Sequence, residues 1–403
     1  MMILHGRILA QSIIAGCVSL GLLYLVFLRQ PEGYTTTTTA AKSWSARNPA
    51  SLESIANSTL GFERIYVVNL PSRTDRRDGL VLMSAVSDIK LDWIDGIDGK
   101  AVPDKALPPP ASHETIKSAN IGSWRAHLDA LQAVVDNNLA SALIIEDDAD
   151  WDIRIKEQLQ DFALTSRALI QPLKARTRSY ADPTFEKPSA VAGMPIDINF
   201  DRLPSTVPPT VSPYGDDWDV LWLGHCGTEF PNTNLPSKAE LAQQLPRGRV
   251  VHNRDQTVPE NSYLFYMSEE DDPRKTYPPH TRVTHHVMGS ICSLAYAVSQ
   301  RGARRLLYEL GVKKFDASYD VMLRDFCEGV KDRSRGVCLT VQPQLFNHHR
   351  PVGHASYYSD ISYHEEKVVE TPITEMIRWS TRMNLPKLVE GRTDYDDQWP
   401  DRG

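Results

Sequence analysis

The amino-acid sequence predicts an α/β fold preceded by one transmembrane helix. Short apolar segments alternate with segments of helical periodicity between residues 62 and 360, which is the pattern of an α/β domain. Hydrophobic residues form 41% of the chain and charged residues 24%, as expected for a protein with a sizeable core. A largely apolar run from Ile8 to Leu28 lies ahead of this region.

The run from Ile8 to Leu28 is long enough to span a membrane, because a helix rises about 1.5 Å per residue and the hydrocarbon layer is about 30 Å thick. A cleaved signal peptide is the alternative, although its apolar part usually covers only about 7–15 residues. We interpret residues 1–30 as a short tail and a transmembrane signal anchor of a single-pass type II protein. Residues 31–61, with threonine at every position from 35 to 39, predict a flexible stalk.

The first half of the predicted domain contains three strands and one helix. Arg64 to Leu70 is a short apolar run with β-branched residues, which indicates a buried strand, and Leu91 to Ile94 predicts a second one. From Ile121 to Asn137 apolar residues recur every three to four positions, as on one face of a helix. Ala142 to Ile145 is fully apolar and predicts an interior strand that is covered on both faces.

The second half continues this alternation. The predicted strands are Asp219–Gly224, Ser293–Val298 and Val337–Val341, and the predicted helices are one capped by Ser299 that stops at Gly311 and one from Ala317 to Cys327. We therefore place one folded domain over residues 62–360, with inserted loops at about 171–215 and 253–282. Residues 361–403 are predicted to be a polar C-terminal extension.

Charge and cysteine content restrict the possible partners and compartments. The net charge of −7 and the absence of a basic block exclude a nucleic-acid partner, which requires clustered Lys and Arg. Outside the apolar run the chain has four cysteines, which allow three disulfide pairings: Cys226, Cys292, Cys327 and Cys338. One or two disulfides in a lumenal compartment and buried free thiols both fit this set.

Three acidic residues, Glu146, Asp147 and Asp148, directly follow the predicted interior strand. In open α/β sheets the ligand crevice lies beyond the carboxyl ends of the strands. Mg²⁺ and Mn²⁺ are commonly held there by one or two carboxylates together with substrate phosphates. Because side chains alternate along a strand, we predict Glu146 and Asp148 as metal ligands and Asp147 as turned away or, if the strand has already turned, in contact with a ribose or sugar of the substrate. The alternative is a helix N-terminus or a solvated turn.

Several segments in a fixed order carry a family resemblance. Residues 121–127, Ile-Gly-Ser-Trp-Arg-Ala-His, are followed by a predicted helix and by residues 142–148, Ala-Leu-Ile-Ile-Glu-Asp-Asp. The further matching segments are residues 68–77, 97–99, 218–224, 295–303 and 319–323. Their order resembles glycosyltransferase family 25, which includes bacterial lipooligosaccharide galactosyltransferases and procollagen galactosyltransferases.

The resemblance implies a nucleotide-diphospho-sugar transferase fold of the GT-A type, with an open mixed sheet and a Rossmann-like half. It also implies an inverting enzyme that moves a hexose, galactose first and glucose second, from a UDP-sugar to a hydroxyl of a glycan or glycoprotein. Mn²⁺ or Mg²⁺ on Glu146 and Asp148 would assist, and the Golgi or ER lumen would be the compartment. The residues expected at the donor are Asn69, Arg73, Arg76, Arg77, Asp98 and His127; arginine suits a diphosphate because its planar fork bonds two oxygens.

An inverting transferase needs a general base for the acceptor hydroxyl. Asp320 is the first choice and Asp316 the second, with Asp147 as a further catalytic candidate. A late histidine joins the metal ligands in related folds, and the residues available for this role are His348, His349 and His354.

Two departures from the family pattern leave the acceptor open. Residues 123–127 read Ser-Trp-Arg-Ala-His where the family has Cys-x-x-Ser-His, and the segment between Asp148 and Trp218 is longer than usual.

Two other functions are alternatives to the transferase: a catalytically weak glycan-binding or scaffold relative, and a glycosidase that uses paired carboxylates without metal. Sensitivity to a chelator separates the glycosidase from the transferase.

Overall fold

A computed structural model describes residues 50–402, apart from residues 177, 191–195, 235, 237, 363 and 365. The described strands are β1 (Arg64–Asn69), β2 (Asp92–Asp95), β3 (Ser141–Glu146), β4 (Ala149–Trp151), β5 (Ile196–Asn199), β6 (Val220–Gly224), β7 (Gly248–His252), β8 (Arg282–His286), β9 (Ala295–Ser299), β10 (Cys338–Gln342), β11 (Phe346–Arg350), β12 (Gly353–His354), β13 (Val368–Val369) and β14 (Ile373–Thr374). The described α-helices are α1 (Thr74–Val86), α2 (Ser118–Asp136), α3 (Ile155–Ile170), α4 (Ala239–Gln243), α5 (Pro273–Thr276), α6 (Gln300–Tyr308), α7 (Tyr319–Glu328) and α8 (Leu385–Leu388).

The prediction of a transmembrane helix ahead of the α/β domain is not supported. The segment from Ile8 to Leu28 lies outside the described residues. Among the residues that are described, no helix combines the length and the apolar character that crossing a membrane requires. The longest of them, α2, has 19 residues but carries partly exposed charged side chains such as Arg125 and Asp129. The fold class is therefore mixed α/β with a large sheet.

The large sheet has 12 strands, nine of them in the order β2-β1-β3-β9-β6-β10-β8-β7-β5. Strands β2, β1 and β3 are parallel, whereas β9 is antiparallel to both of its neighbours, β3 and β6. Strand β11 extends the sheet by pairing with β6, β4 and β14. The sheet is therefore mixed, as the family resemblance implies.

Successive side chains of the central strands point to opposite sides of the sheet, and each side is covered by a core cluster. Both faces of these strands are therefore buried. Ile65 and Val67 of β1 join Ile145 of β3 in one core cluster, to which α1 and α3 contribute. Tyr66 and Ile144 belong to the cluster on the other face, with side chains from α2, α6 and α7. The predicted interior strand at Ala142–Ile145 is confirmed.

Several strands, among them β5, β7 and β8, lie where the sequence predicts loops or no regular structure. Strand β5 lies within the predicted loop at 171–215 and pairs in parallel with β7. Strands β7 and β8 are fully or mostly buried although they contain arginine and histidine. The Arg282 guanidinium is compensated by Asp255, with Nε 2.6 Å from a carboxylate oxygen. Buried ion pairs of this kind hide a strand from hydrophobicity-based prediction.

Residues 373–384, in the predicted C-terminal extension, pack against β4 through a buried carboxylate. Asp150 is fully buried and accepts hydrogen bonds from the Thr374 hydroxyl (2.6 Å), the Ser380 hydroxyl and the Arg382 backbone N–H (3.1 Å). Because β4 directly follows the acidic triplet, these bonds fix the segment that leaves the candidate site.

Candidate active site

The acidic triplet stands where β3 ends. Glu146 is the last residue of β3, and Asp147 and Asp148 form the turn into β4. Glu146 is in register with Val68 near the end of the parallel strand β1. All three acids line a cleft of about 1200 Å³ at this edge of the sheet. This is the position at which ligands bind in open α/β sheets.

A histidine that is distant in sequence joins two of these acids. Antiparallel pairing of β11 with β4 places His348 opposite Ala149, and the His349 N–H donates to the Asp148 carbonyl oxygen at 2.9 Å. One ligand atom each from Glu146, Asp148 and His348 lie within 4.8 Å of one another, the one such trio in the described part of the chain. Strand pairing thus selects His348 from the three histidines that the sequence offers.

The trio fits a divalent cation. Oδ1 of Asp148 is buried without a hydrogen-bond partner among the described residues and lies 4.0 Å from Nε2 of His348. A buried carboxylate oxygen without a partner is costly unless a cation compensates it. Burial alone would raise the pKa of Asp148, but His348, Arg76 and Arg350 lower it on balance. Two carboxylates with one imidazole form a donor set for ions such as Mn²⁺ or Mg²⁺.

Asp147 contacts Asn69 and shares Arg76 with Asp148. Its carboxylate accepts hydrogen bonds from Nδ2 of Asn69 (2.8 Å) and from Arg76 (2.5 Å). Burial raises the pKa of Asp147 to about 6, although Arg76 and Asn69 act in the opposite direction. Asp147 therefore anchors Asn69 and Arg76, two of the residues predicted at the donor.

Glu146 is supported from behind by a buried polar network. Ser293 donates its hydroxyl to Oε1 of Glu146 at 2.8 Å, and Nε2 of His127 lies 3.5 Å from the same oxygen. His127 is buried, stacks on Tyr319 and contacts the Tyr296 hydroxyl at 3.1 Å. Burial raises the pKa of Glu146, but the hydrogen bond and charge of His127 lower it on balance. His127, predicted at the donor, thus contacts the predicted metal ligand.

The four predicted donor residues at and after the end of β1 separate into groups. Arg76 lies 3.4 Å from Asp148 and lines the cleft, whereas Arg73 pairs with Asp75 and Asp360 at its rim. Arg77 is 38% exposed, stacks over Trp93 and is not among the described residues that line the cleft. Each residue turns a helix by about 100°, so Arg76 and Arg77 face different directions. Asn69 is buried beside Asp147.

A segment near the C-terminus, residues 354–362, covers part of the cleft, and we call it the strap. Arg76 donates to the Tyr358 carbonyl oxygen at 2.8 Å, and Arg73 contacts Asp360 at 2.6 Å. Arg350, the last residue of β11, precedes the strap and lies 4.0 Å from Asp148, with its guanidinium 5.2 Å from the Tyr358 ring centre. Arg76 and Arg350 therefore place two cations beside the acidic triplet under the strap.

The other arm of the cleft runs between the end of β2 and the start of α2. Asp98 lines it and accepts the Lys100 N–H at 3.0 Å, which caps a short 3-10 helix at Gly99–Ala101. A Cβ on Gly99 would lie 1.7 Å from the Ser118 carbonyl oxygen. This close backbone packing fixes the wall from which Asp98 faces the cleft.

The two candidate bases have different surroundings. Asp320 lines the cleft and accepts hydrogen bonds from the Cys292 N–H (2.9 Å) and the Ser318 hydroxyl (2.6 Å). Asp316 forms ion pairs with Arg333 and Lys314 and is not among the described residues that line the cleft. The structure brings Asp320, but not Asp316, to the acidic triplet's cleft.

The four cysteines form two disulfides, Cys226–Cys292 and Cys327–Cys338. The first lines the cleft, where Sγ of Cys226 lies 3.9 Å from Nδ1 of His348. Sequence reasoning missed Arg350 and Ser293 as site residues. Arg350 had a signal, since it follows the His-His pair, whereas Ser293 looked like the start of an ordinary strand.

Comparison with known proteins gives a family for part of the chain. Residues 62–201, which include the acidic triplet, match the family model described as "Glycosyltransferase family 25 (LPS biosynthesis protein)". This segment is a glycosyltransferase family 25 domain. The predicted family is thereby confirmed.

Named relatives of the family 25 domain include both active and inactive proteins. Procollagen galactosyltransferase 2 of Homo sapiens is 28% identical over 111 residues, 25% of this chain and 18% of the relative. Procollagen galactosyltransferase 1 of Danio rerio is 28% identical over 113 residues, 25% of this chain and 19% of the relative. Inactive glycosyltransferase 25 family member 3 of Homo sapiens is 25% identical over 151 residues, 34% of this chain and 25% of the relative. The chain thus matches at most about a quarter of these relatives' lengths.

Proposed function

We propose that the chain is a glycosyltransferase that moves a hexose, galactose first, from a UDP-sugar to a hydroxyl of a glycan or glycoprotein acceptor. The observation that carries this proposal is the convergence of Glu146, Asp148 and His348 within 4.8 Å in a cleft of about 1200 Å³. A cleft of this size accommodates a nucleotide sugar, since ligand pockets commonly measure about 300–1,000 Å³. The galactosyltransferases among the relatives support the choice of donor.

The three converging residues would hold a divalent ion, Mn²⁺ or Mg²⁺. Such an ion, when bound, neutralises the negative charge that develops on a diphosphate leaving group. The unpartnered Oδ1 of Asp148 and the mixed carboxylate and imidazole set support this assignment. Arg76 and Arg350, beside the same carboxylate, are placed to donate hydrogen bonds to diphosphate oxygens.

The two arms of the cleft suit the two ends of a nucleotide sugar. The arm bounded by Asp98, Gly99 and the start of α2 has backbone and carboxylate acceptors and would receive the uridine and ribose. Asp320, which also lines the cleft, would accept the proton of the acceptor hydroxyl during an inverting displacement. In this scheme Asp147 orients Asn69 and Arg76, while Glu146 and Asp148 bind the metal.

We further propose that the domain works in an oxidising compartment such as the ER or Golgi lumen. The two disulfides support this placement, because disulfides persist in secretory compartments and are rare in the cytosol.

Donor-dependent nucleotide release tests the proposed function. Purified full-length chain is incubated with UDP-galactose, UDP-glucose and GDP-mannose in Mn²⁺, and the released nucleotide is measured. We expect selective release from a UDP-sugar, its loss in EDTA and its loss in Asp148→Asn. Release that persists in EDTA would favour the metal-free glycosidase. The relatives named inactive make a glycan-binding scaffold the second candidate function. It would be favoured if no donor releases its nucleotide and if Asp148→Asn still binds the glycan.

A further inference from the structure

We propose that the dipeptide Cys292–Ser293, clamped by the Cys226–Cys292 disulfide, positions the metal-binding carboxylate and the base relative to each other. Both residues lie in the connection between β8 and β9, next to the cleft. The proposal rests on the proposed function, because that function assigns the metal to Glu146 and the base to Asp320. Cys292 and Ser293 act through these carboxylates and are positioning residues.

The two contacts come from neighbouring residues. The Ser293 hydroxyl donates to Oε1 of Glu146 at 2.8 Å, and the Cys292 backbone N–H donates to Oδ2 of Asp320 at 2.9 Å. Glu146 ends β3 and Asp320 lies in the first turn of α7, so the two carboxylates belong to separate elements. Because consecutive Cα atoms are about 3.8 Å apart, the dipeptide fixes the spacing of the two groups directly.

A disulfide and backbone hydrogen bonds hold the dipeptide in place. The disulfide joins Cys292 to Cys226, whose N–H donates to the Ile291 carbonyl oxygen at 2.9 Å. Nε1 of Trp222 donates to the Cys292 carbonyl oxygen at 2.9 Å. Cys292 has φ of 63°, a left-handed conformation that a non-glycine residue keeps only when its surroundings impose it.

The same disulfide reaches the third residue of the trio. Sγ of Cys226 lies 3.9 Å from Nδ1 of His348, so the clamp touches His348 as well as supporting Glu146 and Asp320. Groups behind metal ligands commonly control affinity or activity by about 10–100-fold. Loosening the clamp should therefore weaken metal binding and turnover together.

Ser293→Ala tests the hydroxyl, and Ser290→Ala is the matched control. Ser290 is a buried serine of the same connection that pairs with Thr228 at 2.7 Å. Mn²⁺ affinity is measured by titration of the full chain, and kcat by UDP release. We expect Ser293→Ala to weaken Mn²⁺ binding and to lower kcat, each by roughly tenfold or more. Ser293→Thr keeps a hydroxyl and should show the Mn²⁺ affinity and kcat of the wild type. Ser290→Ala should change neither quantity.

The disulfide has its own matched pair of variants. Cys226→Ser/Cys292→Ser removes the clamp, and Cys327→Ser/Cys338→Ser removes the disulfide that lines a separate cavity of about 440 Å³. We expect the first to weaken Mn²⁺ binding at least as much as Ser293→Ala, and the second to lower only the melting temperature.

The outcomes separate this inference from the proposed function. Wild-type turnover combined with unchanged Mn²⁺ affinity and kcat in Ser293→Ala would overturn the inference and leave the function standing. Weakened Mn²⁺ binding in Ser293→Ala, with no transfer by the wild type from any donor, would retain the clamp and reject the function.

Discussion

Replacing Arg76 by alanine leaves the Asp147 carboxylate without its cation. The Arg76 and Asp147 side chains are 15% and 8% exposed and lie 2.5 Å apart, and Arg76 also lies 3.4 Å from Asp148. Opposite charges about 4 Å apart attract by about 4 kcal/mol at an effective dielectric constant near 20. Part of this attraction offsets the burial of Arg76 itself, so we expect a net loss of about 2–3 kcal/mol at pH 7.5.

The pH dependence of this loss identifies Asp147 as its source. The pKa of Asp147 is about 6 in the folded chain and 3.8 ordinarily, so the folded state binds the extra proton between these values. The contribution of Asp147 to the free energy of unfolding therefore falls as the pH rises towards 6, because the ionised carboxylate is costly to bury. Arg76 offsets the cost of burying this carboxylate only when Asp147 is ionised. At pH 5 the loss should shrink to about 1 kcal/mol, carried by Asp148, whose pKa is lowered.

Urea unfolding followed by tryptophan fluorescence measures these free energies, with EDTA present so that no metal compensates. Arg77→Ala is the matched control, because Arg77 is the next residue of the same helix and stacks on Trp93 outside the cleft. We expect it to cost at most about 1 kcal/mol, equally at both pH values. An Arg76→Ala loss that is equal at pH 7.5 and pH 5 would refute the role given to Asp147.

Four other substitutions have defined outcomes. Asp320→Asn should lower kcat by about 100-fold or more, while the donor KM and the Mn²⁺ affinity stay unchanged. Asp316→Asn should leave kcat unchanged. Steady-state kinetics measures both variants. Arg350→Ala should raise the KM for the UDP-sugar by about tenfold, because it removes one of two cations beside Asp148; an unchanged KM would exclude Arg350 from the donor. Asn69→Ala should lower the free energy of unfolding by about 1–2 kcal/mol, because it removes a buried hydrogen bond to Asp147; urea unfolding checks this value.

The parts of the site that follow from local pattern could be predicted from the sequence. The apolar run at Ala142–Ile145 places the triplet at a strand end, and alternation separates Asp147 from Glu146 and Asp148. In the structure Glu146 ends β3 and Asp147 and Asp148 form the turn that follows; Asp147 contacts Asn69 and Arg76, whereas Glu146 and Asp148 converge with His348. The roles of these residues remain predictions.

The parts that depend on long-range pairing could not be predicted. His348 stands out from its neighbours only because β11 pairs with β4, and nothing local in the sequence indicates that pairing. Ser293 supports Glu146 through a contact between residues 147 positions apart. Strands β7 and β8 contain charged or titratable side chains that are buried through specific partners, so hydrophobicity does not reveal them.

The central claim is that Glu146, Asp148 and His348 bind one divalent ion, and a Mn²⁺ titration of His348→Ala tests it most directly. His349→Ala is the matched control, because His349 is the adjacent residue of β11 and contacts the Thr374 hydroxyl at 3.2 Å. We predict one saturable Mn²⁺ site in the wild type and in His349→Ala, and at least about tenfold weaker binding in His348→Ala. Equal Mn²⁺ affinity and stoichiometry in the wild type and His348→Ala would contradict the claim.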